Sequence, residues 1–229
     1  MRTLKHLIGT TVALAVFAMA GAAMAQDDVS ITKHNLTLNT NNVYATTGTD
    51  EVCAFCHTPH AASTTARPLW NREDSVASYT MYNSTFSATI DMTVAASPQG
   101  VSLACLSCHD GTVALDAFQN APGSGGGGAG SEGYTFVGAD AGNLFPAASF
   151  AMLDTDLTDD HPISITYDTA ADTAFNPAAA GKVGTLPLYG ASADQVECGS
   201  CHNPHDDTNG VFLRASNAGS QLCTTCHIK

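Results

Sequence analysis

The feature that most constrains this chain is a five-residue motif, Cys-x-x-Cys-His, that occurs four times. The cysteine pairs account for all eight cysteines: Cys53/Cys56, Cys105/Cys108, Cys198/Cys201 and Cys223/Cys226. This spacing is the attachment signature of c-type haem, because two thiols bond to one porphyrin edge while the next imidazole reaches the iron. The sequence therefore predicts four covalently bound haems c and leaves no cysteine for a disulfide.

Two other kinds of site use a Cys-x-x-Cys pair. Zinc knuckles and redox-active dithiols both contain it, but neither requires a histidine directly after the second cysteine. Here a histidine follows at every motif, although the chain has only nine histidines. The pattern therefore favours haem, with zinc and redox chemistry as the alternatives.

The histidines outside the motifs match the number of predicted haems. Four of the nine close the motifs: His57, His109, His202 and His227. Apart from His6, near the N-terminus, the others are His34, His60, His161 and His205. We expect these four to bind the irons opposite the motif histidines. Methionine ligation raises haem potential, so an all-histidine set predicts low-potential haems.

A Cys-His-x-Pro-His element occurs twice and ends at His60 and at His205. The two histidines of each element are three residues apart, so they share one side of a turn and cannot bind opposite faces of one iron. The simplest pairing gives His60 to the second haem and His205 to the fourth. His161 then serves the first haem and His34 the third.

Residues 1–25 have the features of a secretory signal peptide. A basic start precedes an apolar run at 7–18, and Ala23-Met24-Ala25 fits the small-x-small cleavage rule. The run is too short to span a bilayer, and no second apolar stretch qualifies as a membrane span. We expect cleavage before Gln26 and export to the cell surface or the medium, with the periplasm as the alternative.

The expected fold follows from the chain length that remains. The 204 residues after residue 25 allow about 51 per haem, too few to bury four porphyrins and also build a conventional core. We expect mostly irregular coil with short helices and few short strands, wrapped on a chain of four covalent haems. Helical turns are predicted at each motif, and extended pieces at 30–38, 134–137 and 163–167.

We expect 26–229 to be a single tetrahaem domain. Internal dihaem repeats are predicted at about 51–110 and 196–229, with an insertion at 111–195 and a flexible Gly-rich linker at 121–128. The formal net charge is −13. Nucleic acid is therefore an unfavourable partner, because phosphate binding requires a basic face. An acidic surface instead suits solubility or docking to a basic redox protein.

With these motifs identified, the chain resembles the exported tetrahaem cytochromes of metal-respiring bacteria. The resemblance rests on the two Cys-His-x-Pro-His elements and on the segments 108–112 and 160–164. It implies electron transfer to redox proteins or extracellular acceptors. Some of that group polymerise into extracellular filaments, joined partly by an axial histidine near the N-terminus. His34 stands at that place, so a homopolymer that shares His34 is expected, with a soluble shuttle as the alternative.

An enzymatic function, such as a multihaem reductase, is the competing class. Catalysis at haem requires an iron face that is open or exchangeable. Here every iron has a histidine available, and every motif ends in histidine. The sequence therefore favours electron conduction with no catalytic residues, and a structural zinc protein is a more distant alternative.

Overall fold

The computed structural model describes residues 28–45, 50–121 and 134–228, and irregular backbone dominates these ranges. This agrees with the predicted coil-rich class, while the wrapping of the chain on haem stays a prediction. The signal peptide and nearly all of the Gly-rich linker lie outside the described residues. Within these ranges, no helix has the length and apolar character needed to cross a membrane.

Helical turns occur at the four motifs. The motif helices are a 3-10 helix over Val52–Phe55, α1 over Gly100–His109, α2 over Cys198–Cys201 and α3 over Gln221–Cys226. Two further 3-10 turns cover Val29–Ile31 and Ala218–Ser220. After α2 and α3 the backbone becomes extended at His202 and His227. One helical turn thus presents each cysteine pair, and the chain turns away at the histidine.

The strands are two residues long and form four separate pairs. The antiparallel pairs are β1 (Tyr44–Ala45) with β3 (Phe136–Val137), β5 (Ile165–Thr166) with β8 (Gln195–Val196), and β6 (Lys182–Val183) with β7 (Leu186–Pro187). A parallel pair joins β2 (Thr80–Met81) to β4 (Asp156–Leu157). The predicted extended pieces at 134–137 and 163–167 contain β3 and β5.

The predicted extended piece at 30–38 is wrong, because this segment coils into successive turns. The Asn35 side chain donates to Ser30 O at 2.6 Å, and the Asn41 side chain donates to Asn35 O at 2.7 Å. Asparagine amides compete with strand pairing by bonding to nearby backbone groups, which favours turns.

Apolar burial is divided among three small clusters. The first contains Phe55, Leu115, Phe118, Ala121, Tyr134 and Phe136. The second contains Met81, Leu106 and Leu157, and the third contains Tyr167, Val183 and Leu188. Each cluster lies against a motif helix or a segment that follows one. The clusters therefore fix the motif segments relative to the coil around them.

The first Cys-His-x-Pro-His element is crossed by a returning antiparallel segment. Asn71 N donates to Cys56 O at 2.8 Å, and Thr58 N donates to Leu69 O at 2.9 Å. Between these bonds, His57 and Trp70 form an isolated antiparallel bridge. The ladder holds the motif histidine at its centre.

The second element is held by the same ladder. Arg214 N donates to Cys201 O at 2.8 Å, and Asn203 N donates to Phe212 O at 2.8 Å. His202 and Leu213 form the bridge between them. The internal similarity noted in the sequence is therefore also a similarity of backbone hydrogen bonding.

Candidate haem-binding site

Five of the eight candidate ligand histidines share one hydrogen bond, from ring Nδ1 to a backbone carbonyl oxygen 2.8–3.0 Å away. The pairs are His34–Pro204, His57–Pro68, His109–Ala151, His161–Pro162 and His202–Val211. A carbonyl oxygen only accepts, so Nδ1 carries the proton and Nε2 keeps its lone pair. A metal-ligating histidine uses this arrangement, with the second nitrogen fixing the tautomer and the ring orientation.

Three pairs of histidine rings lie at nearly one separation. The ring centres are 6.2 Å apart for His34 and His109, 6.1 Å for His57 and His205, and 6.4 Å for His161 and His227. Metal–nitrogen bonds of about 2.0 Å on opposite faces of one ion would put ring centres about 6 Å apart. Each pair joins one motif histidine to one histidine from outside the motifs. The spacing therefore suits two axial imidazoles on one iron.

This pairing differs from the one expected from sequence proximity. His205 lies beside His57 of the first motif, and His161 lies beside the fourth-motif His227. His34 lies beside His109 of its own chain, at the second motif. The expected pairing assumed that each element serves its own module, whereas tertiary folding brings remote segments together.

The last two candidate ligands, His60 and His202, are both exposed. His202 Nδ1 bonds to Val211 O, and the backbone oxygen of His60 accepts from Asn120 Nδ2 at 2.7 Å. In the described part of the chain, neither has a histidine ring partner at the spacing of the other three pairs. By elimination they are the remaining proximal and distal candidates.

Aromatic rings pack against four of the ligand imidazoles. The contacts, by ring-centre distance, are His34–Phe212 at 4.1 Å, His227–Phe175 at 4.4 Å, His109–Phe145 at 5.0 Å and His57–Trp70 at 6.0 Å. These rings restrict how far each imidazole can turn about its Cα–Cβ bond, which limits the directions open to Nε2.

Burial also favours the neutral form that a metal requires. The pKa of His34 is lowered mainly by burial, against the opposing effect of its bond to Pro204 O. Burial likewise lowers the pKa of His109, and the bond to Ala151 O opposes it. A neutral imidazole offers its lone pair without first losing a proton.

Cysteines of successive motifs lie close together. The Cys105 and Cys198 thiols are in hydrogen-bond contact, which raises the pKa of Cys105 and lowers that of Cys198. Burial raises the pKa of Cys201 to about 11, and the Cys226 thiol adds to this rise. The second motif is thus adjacent to the third, and the third to the fourth.

The donor set fits haem better than zinc. Within the described residues, no group of three or more His, Cys, Asp or Glu side chains is placed to hold a metal ion. A tetrahedral zinc site needs such a group. Paired imidazoles beside two thiols are the groups that hold a haem c. The buried indole N–H of Trp70, beside His57, also has no acceptor among the described atoms, and a haem carboxylate is one group that could accept from it.

Residues 191–229 match the family described as a doubled CXXCH motif. These 39 residues contain the third and fourth motifs in full. The match supports a multihaem c-type cytochrome. Its motifs indicate covalently bound c-type haem and a role in electron transport. No curated protein matches the chain.

Sequence reasoning missed the buried Glu197, which is 1% exposed and precedes the third motif. Its Oε2 accepts from the hydroxyls of Ser102 in α1 and Ser164 before β5, while Oε1 has no partner among the described atoms. With Ser200 it forms a capping box at α2. Glu197 therefore ties the helix of the second motif to that of the third.

Replacing Glu197 by Gln should make the haem-loaded protein less sensitive to alkaline pH. Burial raises the pKa of Glu197 in the folded state, and the bonds from Ser102 and Ser164 oppose it. Its stabilising contribution is complete below the unfolded pKa of about 4.3 and is lost as the pH rises through the folded value. Thermal melts across pH should therefore favour Glu197→Gln increasingly as pH rises. The exposed Asp207→Asn variant is the control, and parallel pH profiles of Glu197→Gln and wild type would contradict the prediction.

Proposed function

We propose that this protein is a tetrahaem electron-transfer cytochrome in which two histidines hold each iron. The observation that carries the proposal is the set of three histidine ring pairs at 6.1–6.4 Å. The motif histidines would be His57, His109, His202 and His227, and the opposite ligands His205, His34, His60 and His161 in that order. When bound, each haem supplies one-electron Fe(III)/Fe(II) exchange.

The chain's own residues would orient the ligands and close both faces of each iron. Carbonyl oxygens hold Nδ1 protonated, so Nε2 faces the metal, and aromatic rings keep the imidazoles in place. The contact between Cys105 and Cys198 brings two attachment edges together. This closeness supports electron passage from one haem to the next.

An electron carrier is favoured over a reductase by the same ring pairs. A reductase binds its substrate at an open or exchangeable iron position. The pairs His34–His109, His57–His205 and His161–His227 leave no such position at three irons. We therefore propose no catalytic residues, and redox proteins or external acceptors as partners.

Export and assembly are the finer parts of the proposal. The predicted signal peptide supports export, to the cell surface or medium or else to the periplasm. Filament assembly is kept as a proposal, but the position of His34 beside His109 of its own chain favours a form in which His34 does not cross to another copy. A filament would then depend on another contact between subunits.

Carbon monoxide titration of the reduced, haem-loaded protein tests the proposal. Carbon monoxide needs a vacant iron position, so the native protein should bind far less than one molecule per haem. His205→Ala should open the iron at His57 and bind about one molecule per protein. Binding by most haems of the native protein would exclude the carrier and support a reductase.

A further inference from the structure

Arg72 is a buried cation, with only 1% of its surface exposed. Its guanidinium donates to three backbone carbonyl oxygens: Leu115 O at 2.7 Å, Ala114 O at 2.6 Å and Ser107 O at 3.2 Å. Its Nε has no partner among the described atoms. Arginine stays protonated in proteins, so the site holds a permanent positive charge.

The partners of this cation carry no formal charge. The three carbonyls satisfy hydrogen bonds, and the Phe118 ring lies 5.6 Å from the guanidinium carbon. None of these groups is a carboxylate, and a buried ion without a counter-charge has a desolvation cost of several kcal/mol. A charge retained under such conditions acts strongly on nearby groups, because burial reduces solvent screening.

Arg72 lies between the first and second motifs. Ser107, one of its acceptors, is inside the second motif, and the preceding residue, Asn71, donates from its backbone N to Cys56 O of the first. Burial raises the pKa of Cys56 to about 12, the Cys108 thiol adds to the rise, and Arg72 opposes it. The field of Arg72 therefore reaches the attachment site of the first haem.

We propose that Arg72 raises the reduction potentials of the haems at the first and second motifs, so that these two haems are reduced before the third and fourth. This rests on the proposed function. Reduction adds one negative charge to an iron centre, and a fixed positive charge at low dielectric stabilises that state. Arg214, the arginine beside the third motif, is only half-buried, and water screens its charge more effectively.

A redox titration of the native protein tests the order of reduction. Haem ring-methyl NMR signals, assigned to the four motifs, follow each haem separately. The haems of Cys53/Cys56 and Cys105/Cys108 should be reduced first. Earlier reduction at the third or fourth motif would overturn the proposal, whereas a protein without low-spin c-type haem would instead overturn the proposed function.

Charge variants test the cause. Arg72→Met and Arg72→Gln, which remove the charge, should lower the potentials at the first two motifs and leave the other two nearly unchanged. Arg72→Lys keeps the charge and should keep most of the potential difference, even if stability falls. The exposed Lys182→Met, with the same change in net charge, should shift none of them. Unchanged potentials in a folded neutral variant, or an equal shift of all four haems, would overturn the proposal. If neither neutral variant folds, the order of reduction in the native protein decides.

Discussion

Produced without covalently attached haem, the chain should fail to fold into a compact state. Its buried apolar clusters contain six, three and three residues, separated by coil. Clusters of this size offset little of the conformational entropy that about 200 ordered residues lose. Burial around porphyrin would then be the main stabilising contribution.

The comparison requires two hosts. In cells that attach c-type haem, intact mass should show four haem additions on a chain that begins near Gln26. In cells without that machinery, the product should be degraded or should lack a cooperative thermal transition. Cys105→Ala/Cys108→Ala is the partial-loss control and should carry three haems with reduced stability. A compact apoprotein with a sharp melt, or bound zinc in place of haem, would contradict the prediction.

Replacing His34 by Ala should convert about one of the four haems from low spin to high spin. The His34 ring lies 6.2 Å from the His109 ring and stacks on Phe212 at 4.1 Å. Its removal takes away one axial ligand, whereas its partner stays bonded to Ala151 O. Electron paramagnetic resonance should therefore show one new high-spin signal, and the reduced variant should bind about one carbon monoxide.

Two variants frame this experiment. His34→Met can still bind iron and should remain low spin with a higher potential at that haem. Lys33→Ala, at the neighbouring exposed position, should leave all four haems unchanged. Dilution of the wild type separates ligation within one chain from ligation between chains. A high-spin signal that appears as the wild type is diluted would mean that His34 is shared with a second subunit.

The attachment chemistry was readable from local spacing alone. Two cysteines and the following histidine must lie within one turn, so five consecutive residues contain the whole geometric requirement. The same reasoning holds for the turn of helix at each motif. It fails at 30–38, because the pattern of apolar residues does not show that Asn35 and Asn41 bond to the nearby backbone.

The distal partners could be counted from the sequence but not assigned. His205 and His57 belong to different modules, and His161 is far in sequence from His227. Their meeting depends on how coil segments fold across one another, which no periodicity encodes. Proximity along the chain therefore suggested pairs that the three-dimensional arrangement does not contain.

The sequence by itself determined the cofactor class, the proximal ligands and the number of candidate distal ligands, because each depends on residue type and short-range spacing. Only the tertiary structure decided which histidines face each other and which charges are buried. Arg72 and Glu197 look like ordinary polar residues in the sequence. Their importance arises from enclosure beside the motifs, since a charge acts strongly where water is excluded.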